Sequence, residues 1–536
     1  MTLAGIGRNS NGKVCGFTAN FYARWRVSGA VVPALHEGAE AAPPERLLQA
    51  IWQHQRLIRE RLRTPAGGPV RVLHPGFRNP EAGPDFTGAV IQFGAEAPQS
   101  GDVEIDLRPQ GWQAHGHDHN PAYRNVILHA VWEAGPTSDG TLPTLPLAGT
   151  LDAPLRELNW TLAAEVPPPL PQCFLGRCVA PLSELAADEV ATLLRQAAQV
   201  RFECKAAALR ARARQTGWEQ ALWEGLFRAL GYKWNSWPMQ RLAELRERWQ
   251  PGSSGASDLQ ARLLGIGGLL PAELTRSQAG TDRYLRRIWD QWWRERDAFA
   301  DSLLPRQLWR FCNLRPANHP QRRLALASHW LAAGGMPEKL ARWLTADVEI
   351  PQLEHSLLEA LQVGEDPFWS WHWTLRSARL PKAQPLVGAR RVTDLAVNVV
   401  LPWLWSRALS GAEAFPSSAG GAQANAAGVG AEVASLGAAT ARAAELSSTH
   451  AHLRQRVEQR YFAWPAAEDN ARLKLARERL LGGKSPKAWR GAAAQQGLLQ
   501  ILGDFCDHTN ALCDDCHFPQ LVRDWQSAQA KPSSAR

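Results

Sequence analysis

Between residues 70 and 132 apolar and polar positions alternate with a period of two, whereas after Pro146 apolar positions return every three to four residues. Runs at 70–73, 87–93, 103–107 and 126–132 are short, β-prone and separated by Gly, Pro and Asn, the grammar of strands and turns. Ahead of them Leu47, Leu48, Ile51, Trp52 and Ile58 fall on one helical face, with Pro44 and Glu45 at its first turn. The pattern predicts one helix followed by at least four strands.

Downstream, helical periodicity predicts a long helix over 185–214 and a second over 218–230 that stops at Gly231. Further helices are expected at 238–249, 258–265, 281–299, 304–313, 320–333, 337–345 and 353–362. The fold class is therefore α+β: a mixed β-sheet module with a preceding helix at 44–150, then a larger all-helical body at 151–415. An irregular leader is expected at 1–43, a flexible Gly/Ala/Ser-rich insertion at 416–447 with a weak Ala-rich helix at its end, a C-terminal helical segment with a Cys cluster at 448–528, and a disordered tail at 529–536.

A chain of 536 residues exceeds what one core usually fills, which agrees with two or three domains. Tryptophan is abundant, 24 against 5 Tyr, and reads as large core wedges between helices or, in the alternative, as stacking platforms for bases. The net charge of +9 is uneven: residues 1–150 carry 13 basic and 13 acidic groups, so the whole excess lies beyond them. That excess suits a polyanionic partner such as nucleic acid, or else only a solvated face of arginines. The opening residues lack a secretory pattern and no apolar run reaches the ~20 residues of a membrane helix, so no membrane association is expected. Eight irregularly placed Cys point to reduced thiols and a cytoplasmic setting.

The densest chemistry lies between His74 and Trp132. Asp85, Glu104 and Asp106 converge if the turn at 83–86 opens one strand and the run at 101–107 forms the next. Two carboxylates with a backbone carbonyl suit Mg²⁺ or Mn²⁺, with Glu45 or Glu60 as a further acid. His115, His117 and His119 add imidazoles able to recruit Zn²⁺ or Mn²⁺, while the Gly, Asp, Asn and Pro among them read as a loop. His129, inside an apolar strand, reads as a hydrogen-bonded core imidazole, and Trp112 and Tyr123 as caps on the sheet edge. At the other end Cys506, Cys513 and Cys516, with His508 or His517, offer a zinc knuckle; an iron-sulfur cluster would need a distant fourth Cys such as Cys312 or Cys173. Arg315 and Arg322, at a helix start, could hold phosphate or simply face solvent.

The runs IWQHQ (51–55), HPG (74–76), AGPDF (82–86), GDVEI (101–105), AYRNVILHAV (122–131), LPTLPL (142–147), GYKWNS (231–236) and LRPANHP (314–320), with the Trp112, His115 and His117 spacing, together resemble the bacterial family catalogued as domain of unknown function 2851. That resemblance implies membership and no activity. Asp85 and the Glu104-Ile105-Asp106 run also resemble, with lower specificity, the core of restriction-endonuclease-like nucleases, where an Asp begins one strand and a Glu-x-Lys lies on the next. The lysine position is Asp106 here, and no Lys lies between Lys13 and Lys205, which leaves Lys205 as a remote alternative. Arg108 could stabilise charge without acting as a base, and His117 or His129 could move the proton. The expectation is a metal-dependent hydrolase acting on nucleic acid. Its rivals are a non-catalytic nucleic-acid-binding or assembly protein, and a metal-dependent hydrolase of a small substrate using His115 and His117.

Overall fold

The computed structural model describes residues 20–26, 43–79, 83–135, 142–162, 176–250, 255–274, 283–311, 314–409, 432–483, 489, 491–506, 513 and 516–530. The class is α+β, as the two periodicities predict. Helix α1 (Phe21–Trp25) and helix α2 (Glu45–Gln53) precede a mixed sheet of β1 (Val70–His74), β2 (Phe77–Arg78), β3 (Phe86–Phe93), β4 (Gln99–Asp106), β5 (Val126–Val131) and β6 (Thr144–Pro146). The spatial order is β1-β3-β4-β5-β6, with β2 paired to β3. Strands β1, β3 and β4 form an antiparallel meander, and β5 and β6 continue the sheet parallel to β4. Strands β2 and β6 escape the alternation because two or three residues beside Pro show no period.

Alternation along β4 and β5 sorts the side chains. Val103, Ile105, Leu128 and Ala130 bury with Leu47, Leu48, Ile51 and Trp52 of α2 in one apolar cluster. Glu104, Asp106 and His129 are therefore sent to the other face. Gly101 allows the return of β5: a Cβ there would stand 2.4 Å from Ile127 Cγ2 and 2.6 Å from the Asn125 carbonyl.

The helical body is built on one long helix, Ala187–Thr216, whose 30 residues span ~45 Å. The Ala492–Phe505 helix crosses it at backbone contact, since a Cβ on Gly497 would meet the Leu194 carbonyl at 2.1 Å. Tryptophans are mainly core wedges: Trp52, Trp249, Trp330 and Trp403 are buried, each donating its indole N–H to a backbone carbonyl. An Arg59–Glu244 ion pair and the Arg310 guanidinium, 5.1 Å over the Phe77 ring, join module to body.

Several expected boundaries differ. The helix expected at 304–313 is a single 3-10 turn, Arg306–Leu308, because Leu308 reaches the core from that turn while Leu304 and Trp309 reach it from the backbone on either side, extended at Pro305 and Trp309. The helix expected at 281–299 ends at Glu295 and tightens to a 3-10 turn through Ser302. Of the expected insertion, 416–431 lies outside the described residues, and from Glu432 a helix runs to Ala463. Helix α1 interrupts the expected irregular leader, whose remainder to residue 42 lies outside the described residues. The last helix runs Phe518–Ala530, and 531–536 lie outside the described residues. Among the described residues no helix is long and apolar enough to cross a membrane.

Candidate functional site

Asp85 and Glu104 meet at the start of β3 and the end of β4. The Asp85 backbone N–H donates to Glu104 Oε2 at 3.0 Å, and the Ile105 N–H donates to Asp85 Oδ2 at 3.1 Å. Asp106, two residues along β4, shares the face of Glu104, and both are buried, 4% and 7% exposed. In the parallel register Glu104 stands opposite His129, yet His129 Nε2 bonds Asp106 Oδ2 at 2.9 Å. The core imidazole expected at His129 thus has a carboxylate of the acidic cluster as its partner.

The loop between β4 and β5 brings the remaining imidazoles back over the strand. It opens with the short helix α3 (Gly111–Ala114), seated so tightly that a Cβ on Gly111 would stand 2.6 Å from Asp106 Oδ1. After it His115 Nδ1 stands 3.4 Å from Asp106 Oδ1, and His117 Nε2 3.3 Å from Glu104 Oε1. His117 stacks on Tyr123 with ring centroids 3.9 Å apart, and Trp112 meets His117, Tyr123 and His129. The two aromatics therefore hold imidazoles in place as well as edging the sheet. His117 is buried, and neither of its ring nitrogens has an aligned hydrogen-bond partner. Leaving a buried polar group so costs about 1–3 kcal/mol.

Among the described residues one trio could hold a metal ion: single donor atoms of Asp106, His115 and His117 lie within 4.8 Å of one another. Glu104 adjoins it through His117, and Asp85 adjoins Glu104. Burial, then the neighbouring Glu45, pushes the Asp85 carboxyl up to about 7. Burial, then Asp85, pushes Glu104 up to about 8. Glu45 is raised as well, by burial and then by Asp106. The His117 imidazole is lowered by burial, which favours the neutral ring that ligates metals. Buried acids that resist ionising together are stabilised as carboxylates when a cation joins them.

Sequence reasoning missed Gln49. From α2 its Nε2 donates to Glu45 Oε1 at 3.0 Å and Asp85 Oδ1 at 2.8 Å, while its Oε1 accepts from Arg78 at 3.0 Å. The available signal was a polar residue on the buried face of an amphipathic helix.

Other expected participants lie elsewhere. His119 is exposed beside Asp118, and Arg108 is exposed 3.8 Å from Glu133. Glu60 is exposed on a 3-10 turn. Lys205 donates to Asn398 Oδ1 and Gln496 Oε1 inside the helical body. Arg315 is exposed and paired with Glu468. Arg322 is 1% exposed and donates to the carbonyls of Trp369, His372, Gln384 and Pro385, so it holds the 369–385 loop and has no donor directed to solvent phosphate. Cys506 and Cys516 belong to a separate core, Cys513 lines a small cavity beside them, and Cys173, Cys312 and His508 lie outside the described residues.

Residues 45–415 match the family described as protein of unknown function DUF2851. The chain belongs to this family. The match takes in the sheet module with its acid and imidazole cluster, and most of the helical body. Among curated proteins and solved structures, none matches the chain.

Proposed function

We propose that this DUF2851 protein is a metal-dependent hydrolase acting on nucleic-acid phosphodiesters, with the cation at the end of β4. The observation that carries the reading is the convergence of Asp106, His115 and His117, from one strand and the loop after it, beside the Glu104–Asp85 pair. Two imidazoles with carboxylates suit Mn²⁺ or Zn²⁺ better than Mg²⁺, which prefers an all-oxygen shell. A cation there would lower the pKa of bound water and neutralise charge on a phosphodiester. Glu104, outside the trio and held ionised by such a cation, would take the proton from that water.

An anionic substrate is supported by the other end of α2. A cavity of about 620 Å³ opens there between the module and the body, and seven Arg and Lys side chains line it against three carboxylates. Arg56, buried in its lining, is held by Asp152 through Nε alone, at 2.7 Å, and its two terminal nitrogens have no hydrogen-bond partner among the described residues. The depth of Glu104 and Asp106 favours a second substrate reading, a small phosphorylated or amide compound that could reach buried groups more readily than a duplex.

The test is a cleavage screen of single- and double-stranded DNA and RNA with Mn²⁺, Zn²⁺ and Mg²⁺, run beside metal analysis of wild type, Asp106→Asn and His117→Ala. Mn²⁺- or Zn²⁺-dependent cleavage that both substitutions lower by at least a hundredfold is expected. Equal activity in wild type and variants would mark a contaminant and end the proposal. Bound metal with nucleic-acid affinity but no turnover would favour the non-catalytic reading.

A further inference from the structure

The C-terminal cysteines gain a fourth partner that their spacing does not reveal. Cys178, at the start of the Val179–Glu184 helix, lines one small cavity with Cys506, Cys513 and Cys516. The three helices that bring them there are packed into the same core. Cys506 closes the Ala492–Phe505 helix, and Cys516 precedes the Phe518–Ala530 helix. The cavity measures about 10 Å³, room for a single water-sized body, and Phe505, Phe518 and Leu480 wall it with apolar surface. None of these cysteines is in a disulfide.

Charge points the same way. Arg479 is fully buried between these segments and donates from Nη2 to Cys513 Sγ at 3.1 Å. A buried guanidinium is costly beside neutral thiols and well compensated beside thiolates. Four thiolates around one divalent cation carry a net charge of about −2, and N–H donors on the sulfurs are the usual outer support of such centres. The backbone is fitted closely to the sulfurs. A Cβ on Gly176 would lie 2.9 Å from Cys178 Sγ and 2.6 Å from the Arg479 carbonyl. Cys513 adopts a left-handed φ of 57°, and the Cys516 N–H turns back toward its carbonyl at 3.5 Å. The sulfurs are not gathered within the 4.8 Å that holds the donors of the Asp106 trio, so closing on one ion draws the partly exposed Cys513 and Cys516 inward.

We propose that Cys178, Cys506, Cys513 and Cys516 form a structural zinc site that ties the C-terminal helix to the body. It lies outside the 45–415 family match except for Cys178 and is independent of the hydrolase reading. Its occupant is a single ion because the cavity admits no larger body.

Metal analysis of the full-length protein, expressed in zinc-supplemented medium, tests it. Wild type is expected to hold zinc that falls by one equivalent in Cys178→Ser and again, separately, in His117→Ala if the β4 site is also loaded. Cobalt(II) exchanged into wild type is expected to show sulfur-to-metal charge transfer, which a carboxylate–imidazole site cannot produce. Should Cys178→Ser fail to fold, Cys516→Ser, at a partly exposed position, is expected to lose the same equivalent and the same absorption. Zinc content and cobalt spectrum unchanged in both Cys variants, or no thiolate-bound metal in wild type, would overturn the site. Iron and sulfide in place of zinc would overturn the single-ion assignment.

Discussion

His129 faces Glu104 across the parallel β4–β5 pair, but its hydrogen bond runs diagonally to Asp106 at 2.9 Å. The imidazole on β5 thereby orients the carboxylate that the loop histidines approach. A His129→Ala protein should keep the sheet, because Leu128 and Ala130 still fill the opposite core, and should lose about 10- to 100-fold in affinity for Mn²⁺. Competition titration against a chelating dye reads this, and unchanged affinity would show that Asp106 does not depend on β5.

Gly111 gives a sharper probe of the same carboxylate. Alanine there places a methyl 2.6 Å from Asp106 Oδ1, so Asp106 or α3 must shift. Gly111→Ala is expected to abolish metal binding at this site while destabilising the protein by no more than about 1–3 kcal/mol. Metal analysis together with a thermal melt distinguishes this from general unfolding.

Gln49 ties three charged groups with one amide. Gln49→Leu removes the donor to Asp85 and Glu45 and the acceptor for Arg78, and should cost about 1–3 kcal/mol of stability. Denaturant unfolding measures it. A loss below a few tenths would mean that water replaces the amide without penalty.

Acid sensitivity should arise partly at His74. This buried imidazole accepts the Gly76 N–H on Nδ1 at 2.9 Å, and burial, then Arg310, lowers its pKa to about 4. Between that value and the ordinary ~6.5 the unfolded chain binds the extra proton, so stability is present above pH ~6.5 and falls as the pH drops toward 4. The single-site loss is about 3 kcal/mol by pH 4. His74→Asn keeps an acceptor without the titration and should flatten that slope in melts recorded from pH 7 to 4.

The acidic face was legible from residues alone because strand alternation is local: Glu104 and Asp106, two apart, must share a side whenever 99–106 is extended. Helix α2, the strand runs and the Ala187–Thr216 and Trp218–Leu230 helices were equally visible in their periods, whereas the Glu432–Ala463 helix was not, because its first half is rich in Ala and poor in bulky apolar residues. The run at 304–313 misled because its apolar residues satisfy the core from a single turn and the backbone on either side of it, which periodicity reads as a helix.

What the chain determined by itself was therefore its division into sheet module and helical body, and the face on which its carboxylates stand. Only the tertiary structure decided which groups meet. His129 bonds Asp106 through the parallel register of β4 with β5, His117 reaches Glu104 because the α3 loop folds back, and Cys178 joins Cys516 because three helices share a core. Each pairing depends on how strands, loop and helices pack in three dimensions, across 13 residues for His117 and Glu104 and across most of the chain for Cys178 and Cys516, and spacing along the chain carries no record of that.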